Sequence, residues 1–147
     1  MKIKVLILGG SGFIGKNFLN ILSTSKYNIT ATYFKNKPQK NKNIKFIKID
    51  MANNKRIHKH LSNFDWVICS AGNLFTHFSL KKNSFGPIFN NNSIYMNILN
   101  SIYKKKNNIK KFLFISTSTG YPRSNLKISE KYFFQKEPGV FLSGWLN

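Results

Sequence analysis

Acidic residues are scarce in this sequence, and arginine is scarcer still. The 147 residues include 24 lysines and arginines but only four aspartates and glutamates, so the formal net charge is +20. The arginines are Arg56 and Arg123 alone, whereas proteins that read bases and phosphates favour arginine for its bidentate fork. Lysine is instead spread along the whole chain beside abundant asparagine, as AT-rich coding sequence would produce. The charge by itself is therefore a weak argument for specific nucleic-acid binding.

Cysteine and long apolar runs are also lacking. Cys69 stands alone, which excludes an internal disulfide, and no carboxylate or cysteine lies at ligand spacing from His58, His60 or His77. We therefore predict a buried Cys69, surface histidines and no metal site. No apolar run approaches the ~20 residues of a membrane-spanning helix, and the amino terminus lacks the pattern of a secretory signal. These absences predict a cytoplasmic protein that makes no membrane contact.

Apolar runs alternate with helical periodicity along the first 115 residues. The runs predict five strands, at Ile3–Leu8, Ile29–Phe34, Ile44–Ile49, Trp66–Cys69 and Phe112–Ile115. Between them, helical spacing predicts a helix from Ile14 to Leu22, a short helix within 53–61 and a helix through Ile94–Ile102. The intervening segment 73–92 reads as irregular, with Gly86-Pro87 as a turn signal.

Right-handed crossovers then give an α/β fold, a Rossmann-type doubly wound parallel sheet of strand order 3-2-1-4-5 that is incomplete at its carboxy-terminal side. We place the nucleotide-binding core at residues 1–120 and the start of a catalytic region at 121–147.

A glycine-rich turn joins the first predicted strand to the first predicted helix. It contains Gly9, Gly12 and Gly15 in the sequence Gly-Gly-Ser-Gly-Phe-Ile-Gly. The first glycine permits the tight turn, the second admits a pyrophosphate, and the third lets the helix pack against the strand. Because the helix amino terminus favours negative charge, this segment predicts a dinucleotide site that includes Ser11, Phe13 and Ile14.

This turn resembles the glycine motif of the extended short-chain dehydrogenase/reductases, the NAD-dependent epimerase/dehydratase family. Further similarities follow in order: Asp50 after strand three, residues 65–72 at strand four, and Asn91 ahead of a helix containing Asn97. The resemblance spans residues 1 to about 140, and full family members are about twice as long. It implies that Asp50 and Met51 lie beside adenine and that Ser70, Ala71 and Gly72 lie beside the cofactor ribose. A helix cap is the alternative role for Asp50.

The choice between NAD and NADP depends on the end of strand two. A carboxylate about 20 residues after the glycines would bond the NAD ribose, and this sequence has none there. Lys35 and Lys37 occupy the region, and cations suit the 2′-phosphate of NADP. We therefore expect NADP or NAD, with NADP preferred, although surface lysines are the alternative interpretation.

The family resemblance also implies catalytic positions. Thr117 matches the hydroxyl residue after strand five, with Ser118 as second choice, and the acidic pair of dehydratases is replaced by 118–119. Tyr132 and Lys136 have the family's Tyr-x-x-x-Lys spacing, in which the lysine lowers the tyrosine pKa. A competing alignment places Phe141 and Trp145, which cannot transfer protons, at those positions.

Three functional hypotheses follow. The first is an NAD(P)-dependent oxidoreductase-type domain that acts on a nucleotide-sugar-like substrate, with Thr117, Tyr132 and Lys136 handling protons. The second is a non-catalytic, truncated dinucleotide-binding remnant or sensor. The third, motivated by charge alone, is a basic nucleic-acid-binding protein. A homo-oligomer is compatible with each of them.

Overall fold

The protein is described by a computed structural model that defines residues 2–22, 26–53, 57–61, 63–73, 85–104, 109–115, 121, 127 and 129–132. The chain divides into two compact units, Met1–Phe114 and Ile115–Asn147; the predicted boundary at residue 120 stays a prediction. The first unit contains β1 (Ile3–Leu8), α1 (Phe13–Leu22), β2 (Tyr27–Tyr33), β3 (Ile44–Lys48), α2 (His58–Leu61), β4 (Trp66–Cys69), α3 (Gly86–Lys104) and β5 (Lys111–Phe114). Among these described helices, none has the length and hydropathy needed to cross a bilayer.

The five strands form one parallel sheet in the order β3-β2-β1-β4-β5. Ile7 of β1 is level with Ala31 of β2 on one side and with Ile68 of β4 on the other. From β1 the chain adds β2 and then β3 on one side of the sheet. It later returns and adds β4 and β5 on the other side of β1, so the strand order reverses at β1. In open α/β sheets this switch point is where ligands bind. The predicted fold class and strand order are confirmed.

Each face of the sheet carries its own core. Alternate residues of β1 point to opposite faces, so Leu6 and Leu8 pack in the cluster that includes Ile98 of α3, whereas Val5 and Ile7 pack with Leu19 of α1. All four of these β1 residues are fully buried, as expected for a central parallel strand with both faces covered. Cys69 is buried in the α3-side cluster, as predicted.

The main difference from the sequence prediction lies before residue 93. The segment 86–92 is helical, because α3 begins at Gly86 and runs 19 residues to Lys104, whereas Gly86-Pro87 was expected to mark a turn. Proline is tolerated in the first helical turn because its missing N–H has no intrahelical partner there. Asn91 accordingly lies inside this helix and not ahead of it.

The strand β5 forms the outer edge of the described sheet. Phe112, Leu113 and Phe114 are 37%, 45% and 42% exposed, although the run is as apolar as that of β1. An apolar cavity of about 530 Å³ runs beside them, lined also by Phe18 and Ile21 of α1. Within the described residues, β5 is therefore not buried by packed helices and strands to the extent that β1 is.

Candidate dinucleotide-binding site

The glycine turn occupies the junction between β1 and α1, at the carboxyl edge of the sheet. Gly9 has a φ of +83°, a left-handed conformation that side chains with a Cβ rarely adopt. A Cβ at Gly9 would also lie 2.7 Å from the Cα and the amide nitrogen of Ala71 in the loop after β4. Both constraints require glycine, and they bring the β1 and β4 loops into contact.

Gly15 and Gly12 have opposite surroundings. A Cβ on Gly15 would overlap the carbonyl oxygen of Gly9, so glycine here lets α1 start close against the end of β1. A Cβ on Gly12 would approach only that same oxygen, at 3.3 Å, and Gly12 is otherwise exposed. The backbone of Gly12 therefore faces open space at the start of a helix whose first amides lack intrahelical acceptors.

Neighbouring strands hold the turn in place through two hydroxyl groups. The amide of Gly9 donates a 2.9 Å hydrogen bond to Oγ1 of Thr32, which is completely buried in β2. The hydroxyl of Ser70 donates a 2.9 Å bond to the carbonyl oxygen of Leu8, and so does the Ser70 amide. Both groups belong to the Leu8–Gly9 peptide, so these bonds fix the point at which the turn leaves β1.

The loop after β4 is tied to α3. The Oδ1 atom of Asn91 accepts a 2.6 Å hydrogen bond from the amide of Asn73, and its Nδ2 donates to the Asn73 carbonyl at 3.1 Å. This paired contact replaces the bonds that a neighbouring strand would supply. Residues 70–72, which the family resemblance puts beside the ribose, thus lie on a fixed loop next to the glycine turn, with Ala71 in contact range of Gly9.

Asp50 and Met51 follow β3 at the same edge of the sheet. Oδ1 of Asp50 accepts from the amides of Ala52 and Asn53, at 3.1 and 3.3 Å, and Oδ2 accepts from Nδ2 of Asn53 at 2.9 Å. The carboxylate therefore caps the turn that follows, close to the alternative role expected from the sequence. The Met51 side chain is 7% exposed within the core, and its carbonyl accepts from Nδ2 of Asn97 at 2.9 Å.

The lysines expected to select NADP come just after β2. Lys35 and Lys37 are both exposed, and Nζ of Lys35 lies 5.9 Å from the ring centroid of Phe34. Neither lysine belongs to an ion pair within the described residues. Both side chains could therefore contact a phosphate at this end of β2. The same is true of any exposed lysine.

The sequence of residues 5–138 matches the model of the NAD-dependent epimerase/dehydratase family. The chain belongs to this family. Its structure is similar to UDP-glucuronic acid 4-epimerase from Bacillus cereus, solved with NAD and a fluorinated UDP-glucuronic acid, at 24% identity and a TM-score of 0.73. It is also similar to the UDP-Glc/GlcNAc 4-epimerase of Campylobacter jejuni, at 22% identity and a TM-score of 0.73. No curated protein sequence matches.

The similarity covers most of this chain but less than half of the solved relatives. The alignments include 92% and 88% of this chain and 46% and 42% of the Bacillus and Campylobacter epimerases. The residues present therefore correspond to the nucleotide-binding part of an NAD-dependent epimerase/dehydratase.

Of the catalytic residues that the epimerase/dehydratase resemblance implies, the structure describes only Tyr132. It ends a 3-10 helix, Glu130–Tyr132, in the second unit, is 39% exposed, and has Nζ of Lys131 5.0 Å from its ring centroid. Thr117, Ser118, Lys136, Phe141 and Trp145 lie outside the described residues. The catalytic assignment therefore stays a prediction.

The histidine prediction is partly tested. The side chain of His60 is partly exposed, whereas those of His58 and His77 lie outside what the structure describes. No group of histidine, cysteine or carboxylate side chains suited to a metal occurs among the described residues.

Sequence reasoning missed Thr32, and it named Asn97 only as part of a matching helix, without the contacts that this residue makes. Asn97 donates from one amide group to the carbonyls of both Met51 and Ala52, at 2.9 and 2.8 Å, so it positions the loop after β3. Thr32 and Thr30 lie two residues apart on the same face of β2, and only the strand register shows which one meets Gly9. Local sequence patterns carry no signal for either contact.

Proposed function

We propose that this chain binds a nicotinamide dinucleotide, with the pyrophosphate on the backbone of Gly12, Phe13 and Ile14. The observation that supports this most directly is the open space at Gly12 beside two glycines whose places allow no Cβ. Gly9 and Gly15 shape the turn, and Gly12 leaves room at the amino terminus of α1, where amides and helix dipole favour an anion.

The residues around the turn fit such a group. Ser70–Gly72 would lie along the ribose, and the 50–51 segment would border the adenine, since both loops leave the same edge of the sheet as the glycine turn. When bound, nicotinamide would supply hydride transfer. The side chains of this unit would bind and orient the cofactor; proton handling is assigned to the second unit.

A preference for NADP over NAD is a finer proposal, supported by Lys35 and Lys37 alone. The family is NAD-dependent and the Bacillus relative was solved with NAD, so NAD binding is the simpler expectation. Lys35→Gln should weaken NADPH binding roughly tenfold and leave NADH binding unchanged, because only NADPH carries the 2′-phosphate. Equal effects on both cofactors would reject a role for Lys35 in selection.

The proposed activity is hydride exchange on a nucleotide-sugar-like substrate. It is supported by family membership and by the similar epimerases that have been solved with UDP-sugars. Thr117 would hold the substrate oxygen, Tyr132 would move its proton, and Lys136 would assist that proton transfer. The cytoplasmic location inferred from sequence likewise stays a prediction.

Cofactor binding is tested by titrating the protein with NADH and following nicotinamide fluorescence. Gly12→Asp should weaken binding at least roughly tenfold, because a carboxylate would fill the open space and repel the pyrophosphate. Asn43→Asp is the matched control: it adds the same charge at an exposed residue just before β3, at the opposite edge of the sheet, and should change affinity less than about twofold. Unchanged NADH affinity in folded Gly12→Asp would overturn the proposal.

Turnover separates the enzyme from a non-catalytic remnant or sensor. UDP-glucose and UDP-glucuronic acid would be incubated with the chain and NAD, and NADH formation followed alongside product analysis. Activity that disappears in Tyr132→Phe supports catalysis. NADH binding without conversion of either sugar supports the non-catalytic remnant or sensor.

A further inference from the structure

The amino-terminal edge of the sheet, opposite the glycine turn, contains a second cavity of about 340 Å³. Three lysines and one histidine line it together with neutral polar and apolar side chains: Lys4, Asn28, Thr30, Lys45, Ile47, Lys59, His60, Asn63 and Phe64. From Lys4 to Gly9, β1 rises roughly 16 Å, at about 3.3 Å per residue. We propose that this cavity binds a compact polyphosphate anion, separately from the dinucleotide.

Strand register brings the basic groups together. Lys4 of β1 is level with Asn28 of β2, and Thr30 of β2 is level with Lys45 of β3. Alternation along each strand puts these four side chains on one face of the sheet, the face that also carries Leu6. Lys59 and His60 reach the same cavity from α2. Lys4, Lys45 and Lys59 are exposed, and they approach this one cavity from three separate elements, β1, β3 and α2.

Among the described residues, no carboxylate lines the cavity. In the described part of the chain the recorded ion pair joins Asp65 to Lys110, at 3.0 Å. The other oxygen of Asp65 accepts from the backbone amide of Lys4. Lys45 and Lys59 thus have no carboxylate partner among the described residues. Like charges in a shared concave site repel one another, and an anion relieves that repulsion.

Thr30 supplies an independent indication of a ligand. Its side chain lines the cavity but is only 5% exposed, and its hydroxyl has no hydrogen bond with any described residue. Leaving a buried hydroxyl without a partner is unfavourable. An anion held by Lys45, which is level with Thr30, would accept that hydrogen bond.

Size and charge select the ligand class. Small-molecule sites typically have volumes of ~300 to 1,000 Å³, and this cavity lies at the lower end. Several cations in a small concave space fit a short chain of phosphate groups. A nucleic-acid duplex presents the same phosphates but would contact only the rim of the cavity. Its affinity would therefore depend on the total charge of the protein and not on Thr30.

The experiment uses the full chain and inorganic tripolyphosphate, followed by amide chemical shifts in NMR and by calorimetry. Lys45→Gln should weaken binding roughly tenfold and Thr30→Val roughly fivefold, with the largest shifts at residues 28, 30 and 45. Thr30→Val keeps the charge and suits a strand. Lys48→Gln is the matched control, because Lys48 lies on the same strand but on the opposite face, and its effect should stay below about twofold.

Two outcomes would overturn the proposal. One is equal weakening by Lys45→Gln and Lys48→Gln with no effect of Thr30→Val, which would mean diffuse attraction to a highly basic chain. The other is a set of shifts confined to residues 9–15, which would mean that tripolyphosphate occupies the dinucleotide site. A short DNA duplex, run in parallel, should bind Thr30→Val as well as the unchanged protein. Loss of NADH binding in Gly12→Asp leaves tripolyphosphate binding intact, so the two proposals fail separately.

Discussion

The strands β1 and β5 have similar apolar sequences but opposite environments. Val5–Leu8 of β1 are fully buried, whereas Phe112–Phe114 of β5 are more than a third exposed. β1 has a paired strand on each side and a helix over each face, while β5 pairs only with β4 among the described strands. An apolar run therefore indicates the capacity for burial, and neighbouring elements decide whether burial occurs.

The largest expected effect is the loss of packing in β1. Leu6→Ala should reduce the free energy of unfolding by about 3 kcal/mol, because the cavity it leaves cannot collapse between α3 and the sheet. Leu113→Ala in β5 is the matched variant and should cost less than about 1 kcal/mol, since that side chain is 45% exposed. Urea unfolding followed by circular dichroism gives both values.

Equal losses in these two variants would contradict the comparison. They would mean that β5 is covered in solution, as in self-association through its free edge. Repeating the unfolding at several protein concentrations decides this point, because a self-associated edge makes stability concentration-dependent.

A second test concerns the glycine turn that follows β1. Gly9→Ala should cost about 2 kcal/mol, because alanine is strained at a φ of +83° and its Cβ would press on Ala71. Gly12→Ala is its control, with a single contact at 3.3 Å, and should cost less than about 1 kcal/mol. Thermal unfolding measures both, and a reversed order would mean that the loop relaxes around Gly9 in solution.

The sequence predicted the central part of the molecule well. Strand rhythm and the glycine spacing follow local rules, so β1, β4 and the turn from Gly9 to Gly15 could be placed without coordinates. The start of α3 could not, because Gly86-Pro87 suits both a turn and a helix amino terminus, and only packing over the sheet distinguishes them. The exposure of β5 was equally hidden, since burial depends on residues distant in sequence.

The site was predictable to the same extent. A glycine motif has a local signature, but the hydrogen bonds that hold it come from Thr32 in β2 and from Ser70 after β4. Such contacts depend on strand register. The carboxylate of Asp50, in contrast, caps the turn that directly follows it. Because this interaction is local, sequence reasoning could include a cap as the alternative role.

A third, smaller effect should come from Asn97, which links α3 to the loop after β3. Asn97→Ala should cost about 1 kcal/mol, because the carbonyls of Met51 and Ala52 both lose their donor. Asn100→Ala on the exposed face of α3 is the control and should stabilise by a few tenths of a kcal/mol through helix propensity. If both variants shift the urea midpoint alike, the Asn97 amide contributes nothing beyond propensity.

The smallest effect concerns Asp65, which links the buried centre of the sheet to its exposed edge. Asp65 lies just before β4. Its Oδ2 accepts a hydrogen bond from the amide of Lys4 in β1, and its Oδ1 pairs with Nζ of Lys110, just before β5. The Lys4 hydrogen bond, and secondly Lys110, lower the pKa of Asp65. A lowered folded-state pKa gives stability that is present above the unfolded pKa of about 4 and is lost as the pH falls through the folded value.

Asp65→Asn should therefore flatten the loss of stability as the pH falls below about 4, measured as the urea midpoint at each pH. Asparagine keeps an acceptor for the Lys4 amide but cannot ionise. Lys110→Gln is the matched variant, and it should retain most of the acid dependence because the stronger influence on Asp65 is the backbone bond to β1. If Lys110→Gln instead abolishes that dependence, the exposed ion pair at the β5 edge, and not the central strand, controls the ionisation of Asp65.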